Sequence, residues 1–354
     1  MRIIKRTFIV FLCTLLALCG CGGSNNSNSN RGKENTGSEK AAPNKNVAHY
    51  TATRYMDLVE AFADESGKNV YIELGSNIIS TEEPIMSRKG ITYTINSKEG
   101  YGLVDIGFHG EGTVVINTWM DGREYGGLYA GGAANIIVNR DIICRNAGAI
   151  YANQNARITV NGNVRGGGDY ELDCHDTEGF YGVCAVENAF IEINGDVSGG
   201  LGHNSECNEW MGGAGIIAVD DATVSVTGNV RGGDMHAEDD YYSYGGWGID
   251  MGGNAKVTVG GNVTGGTNYG TGEYCLSGDG VIIDLEKGDC TLTVKGNVSG
   301  GSVPYGAQKA QSFCLWVADD YTEQRITVGS YEDIMIEGID EKIVDRHDCI
   351  VVTG

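Results

Sequence analysis

The 354-residue chain carries 56 glycines but only 3 prolines, and 41% of it is hydrophobic, which argues against collagen, a proline-rich linker and global disorder. Its formal charge of −22, from 25 basic and 47 acidic side chains, argues against a nucleic-acid binder, whose phosphate contacts need a basic face.

The N-terminus reads as an address. Arg2, Lys5 and Arg6 precede an apolar stretch from Thr7 to Leu18. That is the length of a signal-peptide core and too short to span a bilayer. Leu18-Cys19-Gly20-Cys21 follows. This resembles a bacterial lipobox, which implies a lipoprotein signal peptide over 1–20 and a lipid on Cys21. Cys19 is the weaker choice because the large Leu18 precedes it, and an ordinary secretory signal is the alternative. No other apolar run approaches 18 residues, so the expected membrane contact is the lipid anchor only, with the protein held extracytoplasmically. Residues 21–46 are rich in Gly, Ser, Asn and Lys and read as a disordered tether. About 25 such residues reach roughly 25–30 Å. The remainder, 47–354, carries a net charge of −27, so the acidity belongs to the folded part.

That part opens with a predicted amphipathic helix over 55–63, with Leu58, Ala61 and Phe62 on one face. Strands are predicted over 69–74 and 91–95. Beyond them lies a repeat: ARITVNGNVRGG from Ala156, AFIEINGDVSGG from Ala189, ATVSVTGNVRGG from Ala222, AKVTVGGNVTGG from Ala255 and CTLTVKGNVSGG from Cys290. The spacings are 33, 33, 33 and 35 residues, and a weaker copy lies 22 residues upstream of the first. Each copy alternates with period 2, which predicts a strand. Another short strand precedes each copy, as at Val183 to Val186, Ile216 to Val219 and Ile249 to Met251. Short strands at this spacing, with no room for helices between them, predict an all-β, right-handed, single-stranded parallel β-helix (a solenoid) with a short N-terminal capping helix. A β-propeller blade would need about 40–50 residues. A hexapeptide left-handed helix would show a six-residue period, and none is present.

The turns fit the same reading. Asn163, Asp196, Asn229, Asn262 and Asn297 share one repeat position, and Asn155, Asn188, Asp221, Asn254 and Asp289 share another. Asn and Asp tolerate left-handed backbone, bond to turn amides, and can stack into a ladder down the rod. The Gly-Gly pairs free the next corner. With these features, the region from about residue 50 to 354 resembles bacterial surface proteins with pectate-lyase-like right-handed β-helix repeats. Helix-then-strand openings like that at 55–74 cap the first coil in that family. The resemblance implies a fold and leaves activity open, because one fold hosts many functions.

The extra residues of the longer coils lie after each Gly-Gly, at 168–179, 201–213, 234–246, 267–279 and 302–312. These insertions are aromatic and acidic. Tyr170, Trp210, Tyr241, Tyr242, Tyr244, Trp247, Tyr269 and Tyr274 offer flat faces with polar tips, suited to sugar rings or protein partners, or to packing on each other. In register, His203 aligns with His236, and Glu206 with Asp239. Stacked carboxylates repel unless a cation relieves them, so these four residues are a candidate metal site. Ca²⁺ would suit the carboxylates and Zn²⁺ the His and Cys; otherwise the loops splay and the carboxylates stay solvated. Cys174 and Cys207 share a column one rung apart, which fits a disulfide, whereas Cys290 replaces Ala at an inward position and reads as a buried thiol.

No catalytic residue is assigned. Asp220-Asp221 and Asp319-Asp320 are the tempting carboxylate pairs, but Asp221 sits in the turn column. Arg165 and Arg231 share an outward column, with Ser198 between them. The expected function is a non-catalytic adhesin or carbohydrate-binding surface protein, monomeric, with glycans or a host or partner surface protein as ligand. A polysaccharide lyase or glycoside hydrolase of the same fold is the alternative.

Overall fold

Alternation along the chain is realised as a stack of parallel strands in a right-handed β-helix. The computed structural model describes residues 46–80, 83–168, 179–204, 210–237, 243–271, 275–284, 288–302, 310–317, 326–332, 334–338 and 350–353. The predicted signal peptide, Cys21 and the tether up to residue 45 lie outside them. Strands β1 (Val47–Ala52) and β2 (Asn69–Leu74) begin the stack as parallel neighbours. From there each coil contributes two strands to a 20-stranded sheet, or a single one from Thr291–Ser299 onward, and one to a 10-stranded sheet. The pairings Val114↔Ile136↔Ile158↔Ile191↔Val224↔Val257↔Leu292 show the coils lengthening along the rod without a slip of register.

Register matters because a one-residue slip would turn every inward side chain outward. Ile158, Ile191, Val224, Val257 and Leu292 are all buried, as are the neighbouring columns through Val160 and Val164. Each fully buried side chain of this kind contributes about 1.5–3 kcal/mol relative to exposure. Ala134, Ala156, Ala189, Ala222 and Ala255 are buried beside them, and Cys290 takes the next place in that column as a free, buried thiol.

Helix α1 (Tyr55–Phe62) covers the first coil with Leu58, Ala61 and Phe62. Phe62 stacks on Tyr93 with centroids 3.9 Å apart, and the Tyr93 hydroxyl donates to the Phe62 carbonyl at 3.2 Å. An uncovered coil end would be an open sheet edge.

Two ladders of polar side chains run along the turns. In the first, the N–H groups of Asn163, Asp196, Asn229, Asn262 and Asn297 each donate to the side-chain oxygen one coil below, at 2.7–2.9 Å, starting on Asp141. In the second, side-chain amides bond directly: Asn117 Nδ2 donates to Asn96, Asn139 to Asn117, Asn161 to Asn139 and Asn194 to Asn161, at 2.7–3.0 Å.

Two turn details differ from the sequence reading. The left-handed position is occupied by Gln154, Glu187 and Asp220, with φ of 57°, 57° and 59°, one residue before the Asn155 column. Their side chains accept backbone N–H groups from the neighbouring coil, as Glu187 does from Gln154 at 3.0 Å. The Gly-Gly pairs are needed for close approach rather than for a left-handed backbone. A Cβ on Gly200 would lie 1.5 Å from the Gly167 carbonyl oxygen, and one on Gly233 1.8 Å from that of Gly200.

Candidate functional site

The insertions pair with one another rather than hanging as separate loops. Gly202–Asn204 lies parallel to Met235–Ala237, and Met235 bridges on to Asn268. Trp210–Met211, Ser243–Tyr244 and Cys275–Leu276 form a second short parallel sheet. Met235, Ser243, Asn268 and Cys275 of these segments are fully buried. The Asn268 Nδ2 donates to the Ser243 carbonyl and hydroxyl at 2.9 Å each.

This pairing brings part of the predicted site together. His203 and His236 are register partners, and the His236 ring stacks on Tyr269 with centroids 4.6 Å apart and planes 20° apart. Tyr269 is exposed. Tyr244 stands in the other short sheet between Met211 and Leu276, and both Tyr244 and Trp247 are half-buried. The backbone of Trp210 pairs with Ser243. Tyr170, Tyr241, Tyr242, Tyr274, Glu206 and Asp239 lie outside the described residues, as do Cys174 and Cys207.

Among the described residues no three His, Cys, Asp or Glu side chains converge to hold a metal ion. Asp234, the described carboxylate nearest the histidines in sequence, bonds Arg231 and accepts the Thr267 N–H at 2.8 Å. Burial pushes the His236 imidazole below its usual pKa; Asp234 opposes this and His203 adds to it.

A second surface escaped the sequence reading. Trp119 lies one coil before Asp141 in the first polar ladder, since its neighbour Met120 pairs with Ile142. Its indole packs over Gly102 and donates to the Gly100 carbonyl at 2.7 Å. Beside it opens a cleft of about 540 Å³ whose lining includes Trp119, Ile143, the carboxylates Asp121 and Asp141, and the arginines at 140, 145 and 165. Asp121 is only 3% exposed and is bracketed by Arg145 Nε at 3.3 Å and Arg123 Nε at 3.4 Å. Cys144 forms part of the same wall, and burial, followed by Asp121 and Asp105, raises its thiol pKa and keeps it protonated. The sequence signal for this cleft was the shorter coil spacing upstream of the strong repeat, which carries the Asn163 column back through Asp141 to Trp119.

No known protein family, curated protein or solved structure matches this chain. No helix among the described residues is long and apolar enough to cross a membrane. Fold and site geometry therefore carry the functional reading.

Proposed function

We propose that this chain is an extracytoplasmic bacterial lipoprotein, anchored through Cys21, whose β-helix binds carbohydrate without cleaving it along the edge where the insertions stack. The observation that carries the reading is the in-register column of His203, His236 and Tyr269, with 4.6 Å between the last two rings. A rod that repeats rings at the coil spacing offers a repeating ligand several equivalent contacts. Rings with polar tips suit sugars, whose faces are apolar and whose edges carry hydroxyls. The anchor is supported by Leu18-Cys19-Gly20-Cys21 after the apolar stretch.

The test is a glycan array probed with the full chain and with the His236→Ala, Tyr269→Ala double variant. The wild type binds a defined set of glycans, and the variant keeps its far-UV circular dichroism while losing at least about tenfold in affinity. Equal binding by folded variant and wild type would sink the edge as the site. New reducing ends or unsaturated products on the bound glycans would replace binding with catalysis.

A further inference from the structure

We infer that the cleft beside Trp119 is a separate binding site for a saccharide ring bearing a fixed negative charge, a sulfate ester or a carboxylate, gripped by Arg140 and Arg165. The inference does not depend on the insertion edge.

Charge sets this cleft apart. In a chain of net charge −22, arginines find carboxylates easily. Arg54 pairs with Asp57, Arg231 with Asp234, and Arg123 and Arg145 with Asp121. Arg88 reaches the Tyr93 hydroxyl, and Arg157 lies over the Phe190 ring at 5.0 Å. Arg140 and Arg165 alone among the described arginines have neither an ion pair nor a side-chain hydrogen bond nor a ring contact, and both line this one cleft. Unpaired guanidiniums brought together repel, and an anion bound between them would remove that repulsion while filling their donor forks.

The surroundings select the rest of the ligand. Ile143 and Arg165 are register partners on adjacent coils, about 4.8 Å apart. Ile143 is 49% exposed and offers apolar surface to a ligand seated in the cleft. Trp119 is held by its bond to Gly100 and forms another wall. An apolar floor, an indole and two free guanidiniums match a ring with one apolar face and one anionic substituent better than they match a bare ion. The volume of about 540 Å³ lies within the range of small-ligand sites, ~300–1,000 Å³. Two carboxylates also line the cleft: Asp121, buried and already paired, would hold Arg145 in position, and Asp141 is engaged by the Asn163 N–H at 2.7 Å in the turn ladder, so neither is a free charge.

The experiment is calorimetric titration of the full chain with dextran sulfate, polygalacturonate and unmodified dextran, followed by Trp fluorescence. One or both charged polymers bind with an affinity that falls as NaCl rises, and unmodified dextran does not bind. Which charged polymer binds tells sulfate ester from carboxylate. Arg140→Ala and Arg165→Ala each weaken binding at least about tenfold, and the Arg→Lys variants recover part of it because they keep the charge but lose the fork. Arg157→Ala, away from the cleft, leaves binding unchanged. Far-UV circular dichroism and thermal unfolding establish that each variant is folded. Four results would overturn the inference: no binding of either charged polymer; wild-type affinity in the folded Arg140→Ala, Arg165→Ala double variant; a loss in Arg157→Ala as large as in Arg165→Ala; or competition by inorganic sulfate as strong, charge for charge, as by the polymer.

Discussion

At the scale of single residues, the turns are held by acceptor oxygens rather than by a particular residue type. Asp196 accepts the Asn229 N–H at 2.7 Å and also meets Asn229 Nδ2 at 3.2 Å. Only its oxygen is used, which is why Asn and Asp interchange along the column. Asp196→Ala would leave the Asn229 N–H to water at this exposed turn, and the net loss is about 0.5–1.5 kcal/mol. Asp196→Asn keeps the acceptor and stays within about 0.5 kcal/mol of the wild type. Chemical denaturation of the two variants checks the difference. Equal destabilisation by both would show that charge, not the acceptor, matters there.

At the scale of elements, the capping helix depends on one carboxylate. Burial works against ionisation of Asp57, but hydrogen bonds from Thr53 and Arg54 outweigh it and hold the carboxyl down at about 2, against an ordinary 3.8. The contacts are the Thr53 N–H and hydroxyl at 2.8 Å each and the Arg54 N–H at 3.0 Å. Because the folded pKa is depressed, the stabilisation is complete above the unfolded value near 3.8 and is lost as pH falls through about 2. The helix N-terminus also favours a negative charge at this position. Melting temperatures of wild type and Asp57→Asn between pH 5 and 2 should therefore differ most at pH 5 and converge toward pH 2. A gap that stays constant with pH would refute this role. The element is worth protecting, since Phe62 within it closes the core by stacking on Tyr93.

At the scale of the whole molecule, each coil touches mainly the coils above and below it, so stability accumulates coil by coil. Removal of residues 190–222, one full coil, joins Ala189 to Thr223 and keeps every column in register, because Phe190 and Thr223 are partners. That protein folds cooperatively, with a smaller denaturant dependence in proportion to the surface removed. Removal of 190–221 instead puts Thr223 and Ser225 inward and Val224 outward at the junction. It should lose several kcal/mol, given about 1.5–3 kcal/mol for each inward aliphatic side chain displaced. Circular dichroism during urea unfolding distinguishes the two, and equal midpoints would mean that register is not what holds the stack.

Much of this architecture was legible in the chain itself. The alternation of Arg157, Ile158, Thr159 and Val160, repeated from coil to coil, specifies strands that pair only with their own copies. The amphipathic face of Leu58, Ala61 and Phe62 specifies a helix that must cover something. Both signals are local, because burial on one face leaves a period in the sequence. The candidate sites were legible only in part. Register aligned His203 with His236 and Tyr269, but it did not show that the insertions would pair as strands. The left-handed turn position was misplaced by one residue, since turn conformation leaves no period and two of its three occupants, Gln154 and Glu187, are not typical of it. The Gly-Gly pairs read as freedom of the backbone, whereas the stack uses them for carbonyls that come too close for any Cβ. Coil spacing carries the Asn163 column back to Trp119, but the cleft itself was decided by tertiary structure. Trp119, the arginines at 140 and 145, and Arg165 come from three successive coils, two short and the first long one, where the strong repeat is only beginning. The sequence by itself determined the rod, because a rod follows from periodic burial. Only the packed coils decided which arginines stand without a partner, because pairing depends on distances across coils that no single strand encodes.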